Sequence, residues 1–174
     1  MNNHHIQENP ICSFISVLLV VIFSLYLTSA IKTIPCEKDM KSVFISNFIH
    51  LDFLHLLSNL YGIYSLSRVE ITLGPKKFFL LIFFLLTFNT IFESVLHTLI
   101  DSPCTIGFSG ILYGVLTFEF VYSGKFDYNL LSSILGLLFI NKFIDKKSSL
   151  TGHLVGAISG IISGFLYKKI TELK

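Results

Sequence analysis

The stretch Thr105-Ile106-Gly107-Phe108-Ser109-Gly110-Ile111-Leu112-Tyr113-Gly114 decides how the rest of the chain is read. A short polar loop turns there into an apolar helix, with a serine between glycines at the turn. The segment Thr151-Gly152-His153-Leu154-Val155-Gly156-Ala157-Ile158-Ser159-Gly160 has the same plan with a histidine. A third segment, His50-Leu51-Asp52-Phe53-Leu54-His55-Leu56-Leu57-Ser58-Asn59, contributes two more histidines and an asparagine. All three open hydrophobic runs, where a polar side chain is costly and calls for a reason.

Hydrophobic residues make up 52% of the 174, charged residues 14%, and mean hydropathy is +0.72. That is too apolar for an ordinary soluble domain and predicts a multi-spanning, all-α membrane protein forming one compact unit. The net charge of +2 is small and the lysines are scattered, which argues against a nucleic-acid partner. The 18 phenylalanines suit helices facing lipid, and the absence of tryptophan leaves interfacial anchoring to tyrosine.

Six apolar runs predict six spans, over about 11–31, 51–66, 78–96, 109–122, 128–144 and 150–167. The expected domain is the whole chain, 1–174, with its core at about 11–168. Lys32 to Asn47 is expected as a polar loop, and Ser67 to Lys77, with Arg68, Glu70, Gly74 and Pro75, as a turn. His97 and Asp101 are assigned to the solvated loop before Gly107. Lys and Arg divide seven against six between the two sides, so orientation stays open, as does the particular membrane. Cys36 and Cys104 fall in same-side loops and could pair, although two unpaired thiols is the favoured reading.

The second, fourth and sixth spans cross in the same direction. His55, Ser109 and His153 each lie within about 10 Å of their helix starts at 1.5 Å rise per residue. Gly110 and Gly114, like Gly156, Gly160 and Gly164, recur every four residues, a spacing that lets two backbones approach closely. Such contact would bring Ser109 within reach of His153, the geometry for a base to activate a hydroxyl. The free N–H groups at a helix start favour a developing oxyanion, and His55 and Asn59, one turn apart on one face, could add donors. Each feature alone has a bland alternative: a serine cap, an interfacial histidine, glycines for packing. A metal site on His50, His55 and His153 is the rival use of the imidazoles, but it wants a fourth ligand.

These residues resemble the rhomboid family of intramembrane serine proteases. Gly107-Phe108-Ser109-Gly110 is similar to that family's nucleophile motif. His153 followed by Gly156 and Gly160 resembles its general-base motif, and His55 with Asn59 its oxyanion pair. His50 stands where the family often has another histidine, Tyr113 matches an aromatic beneath the imidazole, and Glu70 with Gly74 resembles a turn in which the acid holds the loop together. The resemblance covers about residues 45–165; the first loop lacks the Trp-Arg pair of many members, and Gly152 replaces a frequent alanine.

The resemblance implies a six-transmembrane-helix bundle, a Ser109–His153 dyad and an oxyanion hole of the Ser109 N–H, His55 and Asn59. It implies transmembrane-helix protein substrates within a lipid bilayer, no cofactor and no metal. The alternatives are an inactive rhomboid-like protein that binds transmembrane clients, and a small transporter, for which Glu93 and Glu119 are the available intramembrane charges.

Overall fold

The computed structural model describes residues 9–31, 39–99, 105–124 and 150–172. Among them the chain is all-helical: α1 is Pro10–Leu27, α2 Met40–Ser46, α3 Phe53–Leu73, α4 Pro75–Leu99, α5 Ser109–Ser123 and α6 Leu150–Glu172. Five of these fall on the apolar runs, whereas α2 does not. The expected helix at 128–144 lies outside the described residues, as do Cys36, Asp101 and Cys104.

Three expectations are corrected. The segment expected as a loop up to Asn47 contains α2, whose start is capped by Asp39: its carboxylate accepts from the N–H groups of Lys41 and Ser42 at 2.9 and 3.2 Å. Hydrogen bonds from Ser42, side chain first, hold the Asp39 carboxyl below its usual value. A helix of two turns is too short to show a hydrophobic period. Next, the turn expected over 67–77 shrinks to Gly74-Pro75, because α3 runs on to Leu73. Gly74 takes φ 78°, and Pro75 begins α4, where its missing N–H costs nothing. Finally, His97 belongs to α4 and is buried, not solvated.

Among the described residues three helices are long and apolar enough to cross a membrane: Pro10–Leu27, Pro75–Leu99 and Leu150–Thr171, with hydropathies of 2.5, 2.1 and 1.4. Their outer faces keep large apolar side chains uncovered, such as Phe14 at 66%, Leu80 at 63% and Phe165 at 63% exposure. Apolar surface on that scale needs lipid for a solvent. The inner faces repeat at helical spacing: Cys12, Ile15, Leu19 and Phe23 of α1 meet Leu56, Ile63 and Leu66 of α3 and Leu81, Ile82 and Leu85 of α4.

Glu70 is fully buried within α3, not in a turn, and its two carboxyl oxygens accept from the N–H groups of Ile11 and Cys12, each at 2.9 Å. It therefore satisfies the exposed donors at the start of α1 and ties that helix to α3.

Among the described residues the closest helix pair is α5 and α6. A Cβ on Gly110 would lie 3.0 Å from the Gly152 carbonyl, one on Gly114 3.1 Å from the Gly156 carbonyl, and one on Gly164 3.3 Å from the Phe118 carbonyl. Residue numbers rise together along the contact, so the two helices run parallel. A Cβ on Gly156 or Gly160 would collide with the carbonyl of Gly110 or Gly114, and Thr117 Oγ1 donates across the seam to the Ala157 carbonyl at 2.8 Å.

Gly156→Val is expected to destabilise the fold by about 1–3 kcal/mol or more, the usual cost of overpacking, read as a lowered denaturant midpoint in detergent. Glu70→Ala leaves two helix-start N–H groups, one buried and one part-buried, without their acceptor and should cost on the order of 3 kcal/mol in the same assay, with Glu70→Gln losing less.

Candidate active site

Ser109 is the first residue of α5, and Gly107 sets its approach. Gly107 takes φ 103° and donates its N–H to the Ser46 carbonyl at 2.9 Å, tying the loop to the end of α2. A Cβ at Gly107 would stand 2.6 Å from His55 Nε2, so only glycine admits the His55 ring against this loop. Ile111 and Leu112 donate their N–H groups to the Phe108 carbonyl, and those of Ser109 and Gly110 precede this first bond and mark the helix's positive end.

His153 lies in the first turn of α6. Its Nε2 is 2.8 Å from Ser109 Oγ, and its ring centroid is 4.4 Å from that of Tyr113, one turn along α5 from the serine. His153 and Tyr113 are buried and Ser109 is half-buried. A hydroxyl and an imidazole thus share one place at the start of α5, a pair in which the imidazole can accept the hydroxyl proton.

The start of α3 supplies the facing wall. Asp52 Oδ1 accepts from the His55 N–H at 2.8 Å and fixes where the half-buried His55 begins its helix. Asn59, buried one turn later, donates from Nδ2 to the His55 carbonyl at 2.8 Å; an amide has a second N–H, so one donor is committed to the helix. His50 packs edge-on to His55 with ring centroids 4.9 Å apart and is 1% exposed. Burial, then repulsion from His55, pushes the His50 imidazole down to about 4, against weaker opposing pulls from Phe48, Asn59 and Asp52. Neither ring nitrogen makes a well-aligned hydrogen bond among the described residues. His50 is therefore neutral at pH 7.

The sequence-derived residues divide as follows. Gly107, Ser109, Tyr113 and His153 meet at one point, with His55 against Gly107 and His50 behind it. Gly110, Gly156 and Gly160 form the seam below. Glu70 is elsewhere, at the start of α1. A polar network beneath the site carried a weak signal, an asparagine and a glutamate four apart in an apolar run. Asn89 Nδ2 donates to Glu93 Oε1 at 2.8 Å and reaches Asn47 Oδ1 at 3.3 Å, and Asn47 in turn donates to the Val43 carbonyl at 2.8 Å. On the opposite side of the bundle Glu119 pairs with Arg68 at 3.1 Å.

The model of the Rhomboid domain matches residues 37–170, and the chain belongs to the rhomboid family. It is 30% identical over 154 residues, covering 86% of this chain and 84% of the other, to a protein of Acanthamoeba polyphaga mimivirus named as a rhomboid protein.

Because His50 titrates at about 4 when folded and near 6.5 when unfolded, the unfolded chain binds more protons between those values. Stability from this residue is complete above about 6.5 and is lost as pH falls towards 4. The unfolding midpoint of the wild type should drop more steeply over that window than that of His50→Gln, whose side chain does not titrate.

Proposed function

We propose that the protein is an intramembrane serine endopeptidase that cleaves transmembrane helices of other proteins through a Ser109–His153 dyad. The observation that carries this reading is the 2.8 Å separation of Ser109 Oγ and His153 Nε2 at the start of a helix in a rhomboid-family chain. His153 Nε2 accepts the Ser109 proton as Oγ attacks the scissile carbonyl. The developing oxyanion is held by the Ser109 N–H and the His55 side chain, and a part for Asn59 falls to its second N–H. His153 then returns the proton to the departing amine, and water, deprotonated by the same imidazole, releases the acyl group. Tyr113 packs on the imidazole and limits its rotation. No cofactor or metal takes part in this scheme.

The membrane setting follows from helix length. We read the protein as a six-span bundle in which α1, α3, α4, α5, the segment 128–144 and α6 cross the bilayer. At 15 residues α5 is about 22 Å long, less than the roughly 30 Å hydrocarbon core; with the partly exposed Arg68–Glu119 ion pair holding its far end at one surface, its Ser109 end falls short of the other. A peptide bond reaching Ser109 there must belong to a segment that itself resides in the membrane, which makes transmembrane helices the substrate class.

A fluorophosphonate probe tests the reading directly. The wild type should be labelled, Ser109→Ala should not, and His153→Ala should label far more slowly. His55→Ala should retain the fold but lose on the order of 10²-fold in kcat against a single-span substrate. Labelling that persists in Ser109→Ala defeats the assignment.

A further inference from the structure

The buried polar pair on α4 touches both halves of the proposed dyad through its glycine neighbours. A Cβ on Gly110, the residue after Ser109, would meet Asn89 Nδ2 and Oδ1 at 3.4 and 3.5 Å. A Cβ on Gly152, the residue before His153, would meet Glu93 Oε1 at 3.0 Å. Asn89 and Glu93 are themselves joined at 2.8 Å and are 0% and 1% exposed. The hydrogen-bonded pair on α4 therefore abuts both glycines, Asn89 against Gly110 and Glu93 against Gly152, beside the seam where α5 and α6 meet.

From this juxtaposition, and resting on the protease reading above, we propose that Asn89 and Glu93 are positioning residues: their side-chain hydrogen bond is a strut that fixes the separation of Gly110 and Gly152 and holds hydroxyl and imidazole in register. The alternative is that the pair only fills space, but a filler at this depth would be apolar. A carboxyl and an amide out of contact with water carry a desolvation cost that leucine or isoleucine would avoid. Asn89 Oδ1 has no hydrogen-bond partner among the described residues, so the amide is oriented by its donors, towards Glu93 Oε1 and, at 3.3 Å, Asn47 Oδ1. Thr105, packed directly against Gly152, also hydrogen-bonds the Glu93 carboxyl and fixes it from the far side.

The strut acts on geometry at the reacting atoms and not on capture of a substrate helix, so its loss should appear in kcat and leave KM in place. Displacement of a nucleophile and base by about 1 Å is worth on the order of 10²-fold in rate. The experiment compares wild type, Glu93→Ala, Glu93→Gln, Asn89→Ala and the Glu93→Ala/Asn89→Ala double variant, purified in detergent. Cleavage of a single-span substrate and the rate of fluorophosphonate labelling are both normalised to folded protein.

Glu93→Ala and Asn89→Ala are expected to lower kcat and the labelling rate on the order of 10²-fold at unchanged KM. The double variant should be no slower than the worse single variant, because one interaction is removed once. Glu93→Gln should recover most of the rate, since its carbonyl still accepts from Asn89. Glu93→Ala at wild-type kcat, a raised KM as its main effect, or singles whose losses add in full would each overturn the strut. A wild type as unreactive as Ser109→Ala would instead remove the protease reading, and the strut with it, so the two failures are distinguishable.

Discussion

The arrangement depends on two parallel helices touching backbone to backbone. Apolar burial gives membrane helices little reason to associate, because lipid tails are as apolar as the side chains they would replace. What remains is close packing and polar contact, and α5 with α6 uses both: glycines at every fourth position remove the side chains that would hold the carbonyls apart, and Thr117 donates across the seam to Ala157. Parallel direction matters as much as proximity. Antiparallel helices would have placed the start of one beside the end of the other, and Ser109 and His153 at opposite depths.

Around that seam the fold spends polar groups sparingly, chiefly at helix ends. Glu70 satisfies the first donors of α1, Asp52 those of α3, and the Ser46 carbonyl receives the loop that delivers Ser109. These contacts come from different elements and fix where helices begin, not how they pack along their length. A site assembled from helix starts needs that kind of control, because a one-residue slip turns a side chain by about 100° at 3.6 residues per turn.

Much of this was legible in the chain. Hydropathy marks every long helix among the described residues, and the Gly-x-x-x-Gly spacings of α5 and α6 carry their contact in the sequence itself. The juxtaposition of Ser109 with His153 followed from span parity and those glycines together. Other features left no local trace. Two turns of helix at Met40–Ser46 show no period, and the end of α3 was hidden because Arg68 and Glu70 look like turn residues until their partners, Glu119 and the N–H groups of α1, are known. His97 is polar beside a loop and was read as wet, yet α4 extends one turn further and buries it. In each case a tertiary partner overrode what the residue type alone implies.

The brevity of α5 has a mechanical consequence. A helix of 15 residues inside a bundle whose neighbour α4 has 25 cannot match one hydrocarbon thickness along its whole perimeter. None of the large apolar side chains of α5 is exposed, so its neighbours screen the short element from lipid and the mismatch falls inside the bundle. The outer helices can then match the bilayer while the inner one stays shorter, so a recess within the bundle asks no deformation of the surrounding lipid.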